Sequence, residues 1–211
     1  MRRDYIAIEG VIGVGKTSLA TKLGERYRAR VVYEKHEENP FLADFYRDPR
    51  RYAFQTQMFF LLSRYRQQQE IPQRDLFHDM VIADYLFAKD RIFAHLTLED
   101  RELWLYDHIA SLLEQEIPKP DLVIYLQCSL ERLMQNIRRR GRTYERNIAE
   151  DYLRSLNEAY NQFFFHYDAT PLLVVNTTQI DFVNNEEHFE DLVRQIERPL
   201  SGTEYYSPSP W

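Results

Sequence analysis

The sequence predicts a three-layer α/β fold, a five-stranded parallel sheet with helices on both faces, and three observations predict it. An apolar strand turns directly into a glycine-spaced loop and then a helix at Tyr5 to Ser18, YIAIEGVIGVGKTS. Runs of β-branched and aromatic residues alternate with long helical patterns through the rest of the chain, the order that produces parallel strands joined by helical crossovers. A chain of 211 residues with 44% hydrophobic content can bury one substantial core. The expected organisation is a single domain over 1–211 with a lid at about 138–147 and a tail at 199–211.

The first strand and loop carry the sharpest motif. GVIGVGKT matches the GxxxxGK[ST] phosphate loop at Gly10, Gly15, Lys16 and Thr17. Backbone N–H groups from Gly10, Gly13, Val14, Gly15 and Ser18 can turn inward around a polyphosphate, and the helix that follows points the positive end of its dipole at the same anion. Lys16 can follow the outer phosphates and the Thr17 hydroxyl can reach magnesium. The second strand is Arg30 to Glu34, with Glu34 where the apolar run ends. A short helix is expected near Leu42 to Tyr46. A longer one covers Tyr52 to Gln69, with Phe54, Met58, Leu61, Leu62 and Tyr65 at helical spacing and Gln57, Phe60 and Arg64 on a neighbouring face.

The third strand is Asp79 to Asp84, again ending on a carboxylate. Helix follows, broken near Thr97, where TLED matches a capping box that starts the next helix. Two prolines then punctuate the entry to the fourth strand, Leu122 to Leu126. Ser129 can cap a helix running to Gly141, and another helix covers AEDYLRSLNEAYNQFFFHY. Pro171 starts the fifth strand, LLVVN, and Glu186 to Arg198 is a last amphipathic helix. The tail PLSGTEYYSPSPW has turn composition and reads as surface, with Tyr205, Tyr206 and Trp211 as residues that can dock it.

Composition narrows the function classes. No apolar run reaches the length of a membrane span, and MRRDYIAIEG enters the phosphate loop without a cleavable signal, which predicts a cytoplasmic protein without a membrane partner. The single cysteine, Cys128, excludes an internal disulfide framework and fits a packed thiol in a reducing compartment. A formal net charge of −6 argues against binding a nucleic-acid polymer. Within that acidic background, Arg138, Arg139, Arg140, Arg142 and Arg146 surround Gly141, a pattern that suits a lid closing over a small anion. Glu34 and Asp84, at strand ends beside the loop, bring two carboxylates to the same place. One can orient and deprotonate an acceptor hydroxyl while the other holds the hydration shell of a metal.

In these segments the sequence resembles the bacterial deoxynucleoside kinases, and the resemblance covers nearly its whole length, Tyr5 to about Arg198. The matching stretches are IEGVIGVGKT, ENPFLADFY, FQTQMFFLLSRY, VIADYLFAKDRIFA, KPDLVIYL and RRRGRTYE. The resemblance implies a P-loop kinase fold and transfer of phosphate from ATP, with Mg²⁺, to the 5′-hydroxyl of a deoxynucleoside. It implies Glu34 as the base, Tyr46 and Glu145 on the sugar 3′-hydroxyl, Gln57 on the base edge, and Arg64 with Asp90 deeper in the pocket. Asp84 matches the acidic residue near magnesium, Arg140 and Arg142 match the lid arginines on phosphate, and Phe54 and Phe87 are candidates to sandwich the base. A homodimer is implied as well, with the long helices around Tyr52 to Gln69 and Trp104 to Glu116 as its faces.

One segment departs from the family pattern. Asp84-Tyr85-Leu86 stands where many members have Asp-Arg-Ser or Glu-Arg-Ser, so a cation is absent from its usual place. A lid arginine or Lys89 can supply the charge. The Asp-Tyr variation resembles bacterial deoxyguanosine kinases and points to a purine substrate, whereas Gln57, with both donor and acceptor, suits several bases. The rival readings are a thymidylate kinase, which needs a further cation for the acceptor's phosphate, and a nucleotide-hydrolysing switch, against which the absence of an Asn-Lys-x-Asp run counts.

Overall fold

The computed structural model describes residues 3–71, 77–142, 145 and 148–208. Arg146 of the basic cluster and Trp211 of the tail lie outside them. The chain opens with β1 (Tyr5–Gly10), α1 (Lys16–Tyr27), β2 (Arg30–Val32), α2 (Leu42–Arg47), α3 (Pro49–Glu70) and β3 (Val81–Ala83). It continues through α4 (Lys89–Thr97), α5 (Asp100–Glu114), β4 (Leu122–Gln127), α6 (Leu130–Arg140), α7 (Glu150–Phe165), β5 (Leu172–Asn176), α8 (Glu186–Glu197) and β6 (Thr203–Tyr206). The strands form one parallel sheet in the order β2-β3-β1-β4-β5-β6.

β1 is central, and all six of its residues are buried. That is what a parallel strand covered on both faces requires, and it explains an apolar run without alternation. Ile6 sits between Ile82 of β3 and Leu122 of β4, so the phosphate loop leaves the sheet from its middle. The order in which strands are added to the sheet switches sides at β1, since β3 lies to one side and β4 to the other. The crevice at the carboxyl ends of these strands is where an open α/β sheet binds ligands.

The sheet has six strands, where five were expected. Thr203–Tyr206 was read as surface tail, and it pairs with β5, Leu172 opposite Thr203 and Val175 opposite Tyr206. Gly202, at φ 66°, makes the turn into it, and the Leu172 N–H donates to the Gly202 carbonyl at 2.9 Å. The Tyr206 hydroxyl donates to Asp191 of α8, so Tyr206 docks the segment, while Tyr205 on the alternate face remains exposed. The alternation along TEYY is the period-two signal of a half-covered edge strand.

Two helix starts also differ from expectation. α3 begins at Pro49, three residues before Tyr52, because Asp48 caps it by accepting the Arg51 N–H at 3.4 Å and Pro49 suits the first helical position. The TLED capping box is not used. Thr97 belongs to the last turn of α4, where its hydroxyl donates back to the Phe93 carbonyl at 2.7 Å, and Glu99 flanks α5 without a side-chain cap. At α6 the expected cap is present, with Ser129 accepting the Arg132 N–H at 3.3 Å. The main core lies against the sheet, and a second cluster gathers Phe45, Ala53, Leu61, Phe87 and Tyr106 among α2, α3, α4 and α5. Cys128 is buried at the end of β4. Among the described residues no helix is long and apolar enough to cross a membrane.

Candidate active site

The phosphate loop has the backbone that its glycines make possible. Gly15 flanks α1 at φ 109°, a left-handed conformation that a side chain resists. A Cβ on Gly10 would stand 2.6 Å from the Leu126 carbonyl oxygen, so β1 can approach β4 this closely only without a side chain there. Lys16 folds over the loop, donating to the Gly10 carbonyl at 2.5 Å. Burial pushes its ammonium down to about 8, against the pull of Glu9, and the neighbouring charge of Lys89 adds to the depression.

Behind the loop, Glu9 is fully buried, 3.9 Å from the Lys16 ammonium, and ties the loop to the segment after β3 and to α7. It accepts the Gly10 N–H at 2.8 Å, the Leu86 N–H at 2.8 Å and the Tyr160 hydroxyl at 3.2 Å. A buried carboxylate is tolerable only with such satisfaction.

The strand-end carboxylates meet as the sheet topology demands. Asp84, just past β3, accepts the Thr17 hydroxyl at 2.7 Å on one oxygen and the Glu34 N–H at 2.6 Å on the other. Glu34 therefore sits where β2 ends beside β3, its backbone fixed by the carboxylate that also holds Thr17. Its own side chain is clamped by cations from two helices. Arg64 of α3 donates to Oε1 through Nε at 2.8 Å and through its terminal nitrogen, and Lys89 of α4 donates to Oε2 at 2.8 Å. Burial alone would raise the Glu34 carboxyl, but Arg64 and Lys89 hold it well below the usual carboxylate range. On its far side Arg64 pairs with Asp90, and its guanidinium lies 4.6 Å from the centre of the Phe60 ring.

Two cavities flank this network. The first, about 390 Å³, is open and lined by the loop from Gly13 to Ser18, by Arg132, Asn136, Arg139, Arg140 and Arg142, and by the segment after β5 with Asp181 and Phe182. The second is narrower, about 100 Å³, and is lined by Glu34, Gln57, Arg64, Asp84 and Lys89 together with Phe45, Tyr46, Phe60, Phe93, Tyr152 and Tyr160. Gly13, Lys16, Thr17, Arg140 and Arg142 line both, so the cavities meet at the loop. Glu145 closes the junction from the lid side. It accepts Arg140 Nε at 3.1 Å and lies 3.6 Å from Arg142.

The residues singled out from the sequence divide clearly. Gly13, Val14, Gly15, Lys16, Thr17, Ser18, Arg140 and Arg142 line the open cavity; Glu34, Tyr46, Gln57, Arg64, Asp84 and Glu145 line the narrow one. Gly10 stands at the loop's root, and Asp90 stands behind Arg64. Phe54 and Phe87 do not line the pocket; both pack in the second core cluster, on sides away from the pocket that Phe45, a member of the same cluster, lines. Tyr85 is also turned away, buried near Tyr5, and its phenol is pushed up chiefly by that burial. The aromatic walls are instead Phe45, Phe60, Phe93, Tyr152 and Tyr160. Phe60 had a signal, its place on the Gln57 and Arg64 face. On the open side, Arg132, Asn136 and Arg140 follow one another at four-residue spacing along α6, a stripe that the sequence also displayed.

Comparison with known proteins agrees with this geometry. The family model described as deoxynucleoside kinase matches residues 6–201. The chain is 39% identical over 197 residues to a deoxyguanosine kinase of Bacillus subtilis (strain 168), covering 91% of this chain and 95% of that protein. It is 33% identical over 192 residues to a deoxyadenosine kinase of Dictyostelium discoideum, covering 87% and 75%. The solved structure of deoxyadenosine kinase from M. mycoides with bound dATP matches with a TM-score of 0.80 at 25% identity, over 92% of this chain and 100% of that one. A sheet that places a phosphate loop beside two strand-end carboxylates, and a sequence match spanning nearly all of it, lead to one assignment: the chain belongs to the deoxynucleoside kinase family.

Proposed function

We propose that this deoxynucleoside kinase takes the γ-phosphoryl group of ATP to the 5′-hydroxyl of a purine deoxynucleoside, deoxyguanosine or deoxyadenosine. The observation that carries the reading is the junction of the two cavities, where Glu34, on the narrow side, shares a wall with Lys16 and Thr17 of the loop. Glu34 accepts the proton of the 5′-hydroxyl as that oxygen bonds to the γ-phosphorus. The bond from phosphorus to the β,γ-bridging oxygen breaks, and its electron pair leaves with the diphosphate. Lys16, Arg140 and Arg142 line the open cavity and offer their positive charge to the phosphates. Tyr46 and Glu145 orient the sugar, and Gln57 and Arg64 meet the base between Phe60 and the other aromatic walls.

Thr17 and Asp84 fit magnesium, since a hydroxyl and a carboxylate held 2.7 Å apart are hard oxygen donors in the narrow cavity, and Thr17 also lines the open one. Thr17 and Asp84 would hold the ion, which would supply positive charge to the phosphate oxygens. The purine preference draws on the relatives named above and on a pocket whose buried arginine and glutamine can address a purine edge.

A panel of deoxyguanosine, deoxyadenosine, deoxycytidine, thymidine and thymidylate with ATP and Mg²⁺ tests the proposal. The purine deoxynucleosides are expected to have the highest kcat/KM, and turnover of thymidylate alone would overturn it. The same reading takes the enzyme as a homodimer through α3 and α5, where Leu62, Trp104, Leu105 and Leu112 are exposed. Light scattering is expected to give the mass of two chains, and a single-chain mass at micromolar concentration would remove this part.

A further inference from the structure

Lys89 is a buried cation with an unusual position. It is the first residue of α4, it is 3% exposed, it lines the narrow cavity, and its ammonium is 2.8 Å from Glu34 Oε2. Two cations on one carboxylate leave Glu34 a poor proton acceptor, so the base must lose one of them when it works. Arg64 is held by Glu34 on one side and Asp90 on the other, above the face of Phe60. Lys89 hangs from a flexible four-carbon stem and is a compact point charge. It also stands close enough to Lys16 for the two ammonium charges to repel. Arg140 and Arg142, the other cations at the junction, are engaged by Glu145 on the lid side.

We propose that Lys89 is a catalytic residue, the cation that leaves Glu34 for the phosphoryl group in transit. Resting on the assignment of Glu34 as base, it gives the enzyme two ammonium groups for the transferred phosphoryl, Lys16 and Lys89, which line the same narrow cavity. In the empty site Lys89 offsets the Glu34 charge. As the phosphoryl oxygens arrive between the cavities, the ammonium moves to them, which neutralises transferring charge and frees Oε2 for the 5′-hydroxyl proton. Lys89 neither gains nor loses a proton in this step. The same movement serves acceptor and donor together, so it contributes to turnover more than to binding of either substrate.

The test is a cycle of Lys89→Gln, Glu34→Gln and the double variant, with Lys89→Arg as the conservative change and thermal melts on each. Lys89→Gln is expected to lower kcat about 100-fold, as removal of one preorganised donor does, while KM for the deoxynucleoside changes by less than about threefold. Lys89→Arg is expected to recover part of the lost kcat. The decisive comparison is in the Glu34→Gln background. A lysine that only neutralised Glu34 would have nothing left to do there, and the double variant would equal Glu34→Gln. A lysine that reaches the phosphoryl group makes the double variant slower again by about tenfold or more. Equality of the double variant with Glu34→Gln, or wild-type kcat in Lys89→Gln, would overturn the proposal. Wild-type kcat in Glu34→Gln would instead remove the base on which it rests. Should Lys89→Gln lose its cooperative melt, Lys89→Arg and Lys89→Met carry the same comparison, and a Met variant with wild-type kcat overturns it equally.

Discussion

Under the proposed function the narrow cavity is the acceptor half of the cleft and the open cavity the donor half, and the two are both rich in charge and dispose it in opposite ways. On the acceptor side, Asp90, Arg64, Glu34 and Lys89 form a buried chain in which each charge touches one of opposite sign. On the donor side, Arg132, Arg139, Arg140 and Arg142 stand around an open cavity with more solvent and fewer carboxylates. The acceptor is a neutral molecule recognised by shape and hydrogen bonds, so its pocket can be finished before it arrives. The donor is a polyanion that must enter and leave, so its cavity is open and carries an excess of cations, of which Arg140 and Arg142 share the one carboxylate of Glu145. Charge is therefore closely paired where selectivity is needed, and in excess where a polyanion is taken up.

The sharpest way to break this comparison is to delete one charge from each half. Asp90 is 1% exposed and Arg64 4%, so Asp90→Ala leaves an excess buried cation and is expected to cost about 3–5 kcal/mol of stability. Arg142 is 28% exposed and stands 3.6 Å from Glu145, so Arg142→Ala is expected to cost about 0–1 kcal/mol. Urea unfolding of the two variants measures both. Similar losses would mean that the halves are not built differently after all.

The same contrast explains what the sequence disclosed. The phosphate loop was legible because its function is local, written in glycine spacing and a lysine within one turn. Glu34 and Asp84 were legible because a parallel sheet aligns its strand ends, so two carboxylates far apart in sequence had one place to meet. The aromatic walls were not, because choosing Phe60 over Phe54 depends on which flank of α3 faces the cavity and which faces the second core. Phe87 looked available and was claimed by that core, a packing decision made by α4 and α5 together. β6 was missed for a different reason. A four-residue edge strand has too little length for its alternation to stand out from a polar tail, and it becomes a strand only because β5 offers an open edge and Asp191 anchors Tyr206. The contact of Lys89 with Glu34 had a partial signal: the cation absent at Tyr85 left Lys89 and the lid arginines as candidates to replace it, and only the packing of α4 beside the loop after β2 selects Lys89.

A smaller effect separates the halves by their response to pH. Glu34 is held well below the usual carboxylate range, so it stays ionised throughout pH 6 to 9 and acceptor binding has no reason to follow pH there. Lys16 differs. Its ammonium is pushed down to about 8 by burial, so the empty site loses that charge as pH rises through 8. Polyphosphate favours the charged form, hence binding draws a proton back onto Lys16 at alkaline pH and becomes weaker the fewer protons are available. KM for ATP is expected to be flat below pH 7.5 and to rise by about tenfold between pH 8 and 9.5, the slope approaching one decade per unit. KM for the deoxynucleoside should stay level over the same range. Calorimetry in two buffers of different ionisation heat reads the proton uptake directly. An ATP KM that stays flat to pH 9.5 would show that the loop's own carbonyls and Glu9 keep Lys16 charged, and that the donor half is as settled before binding as the acceptor half.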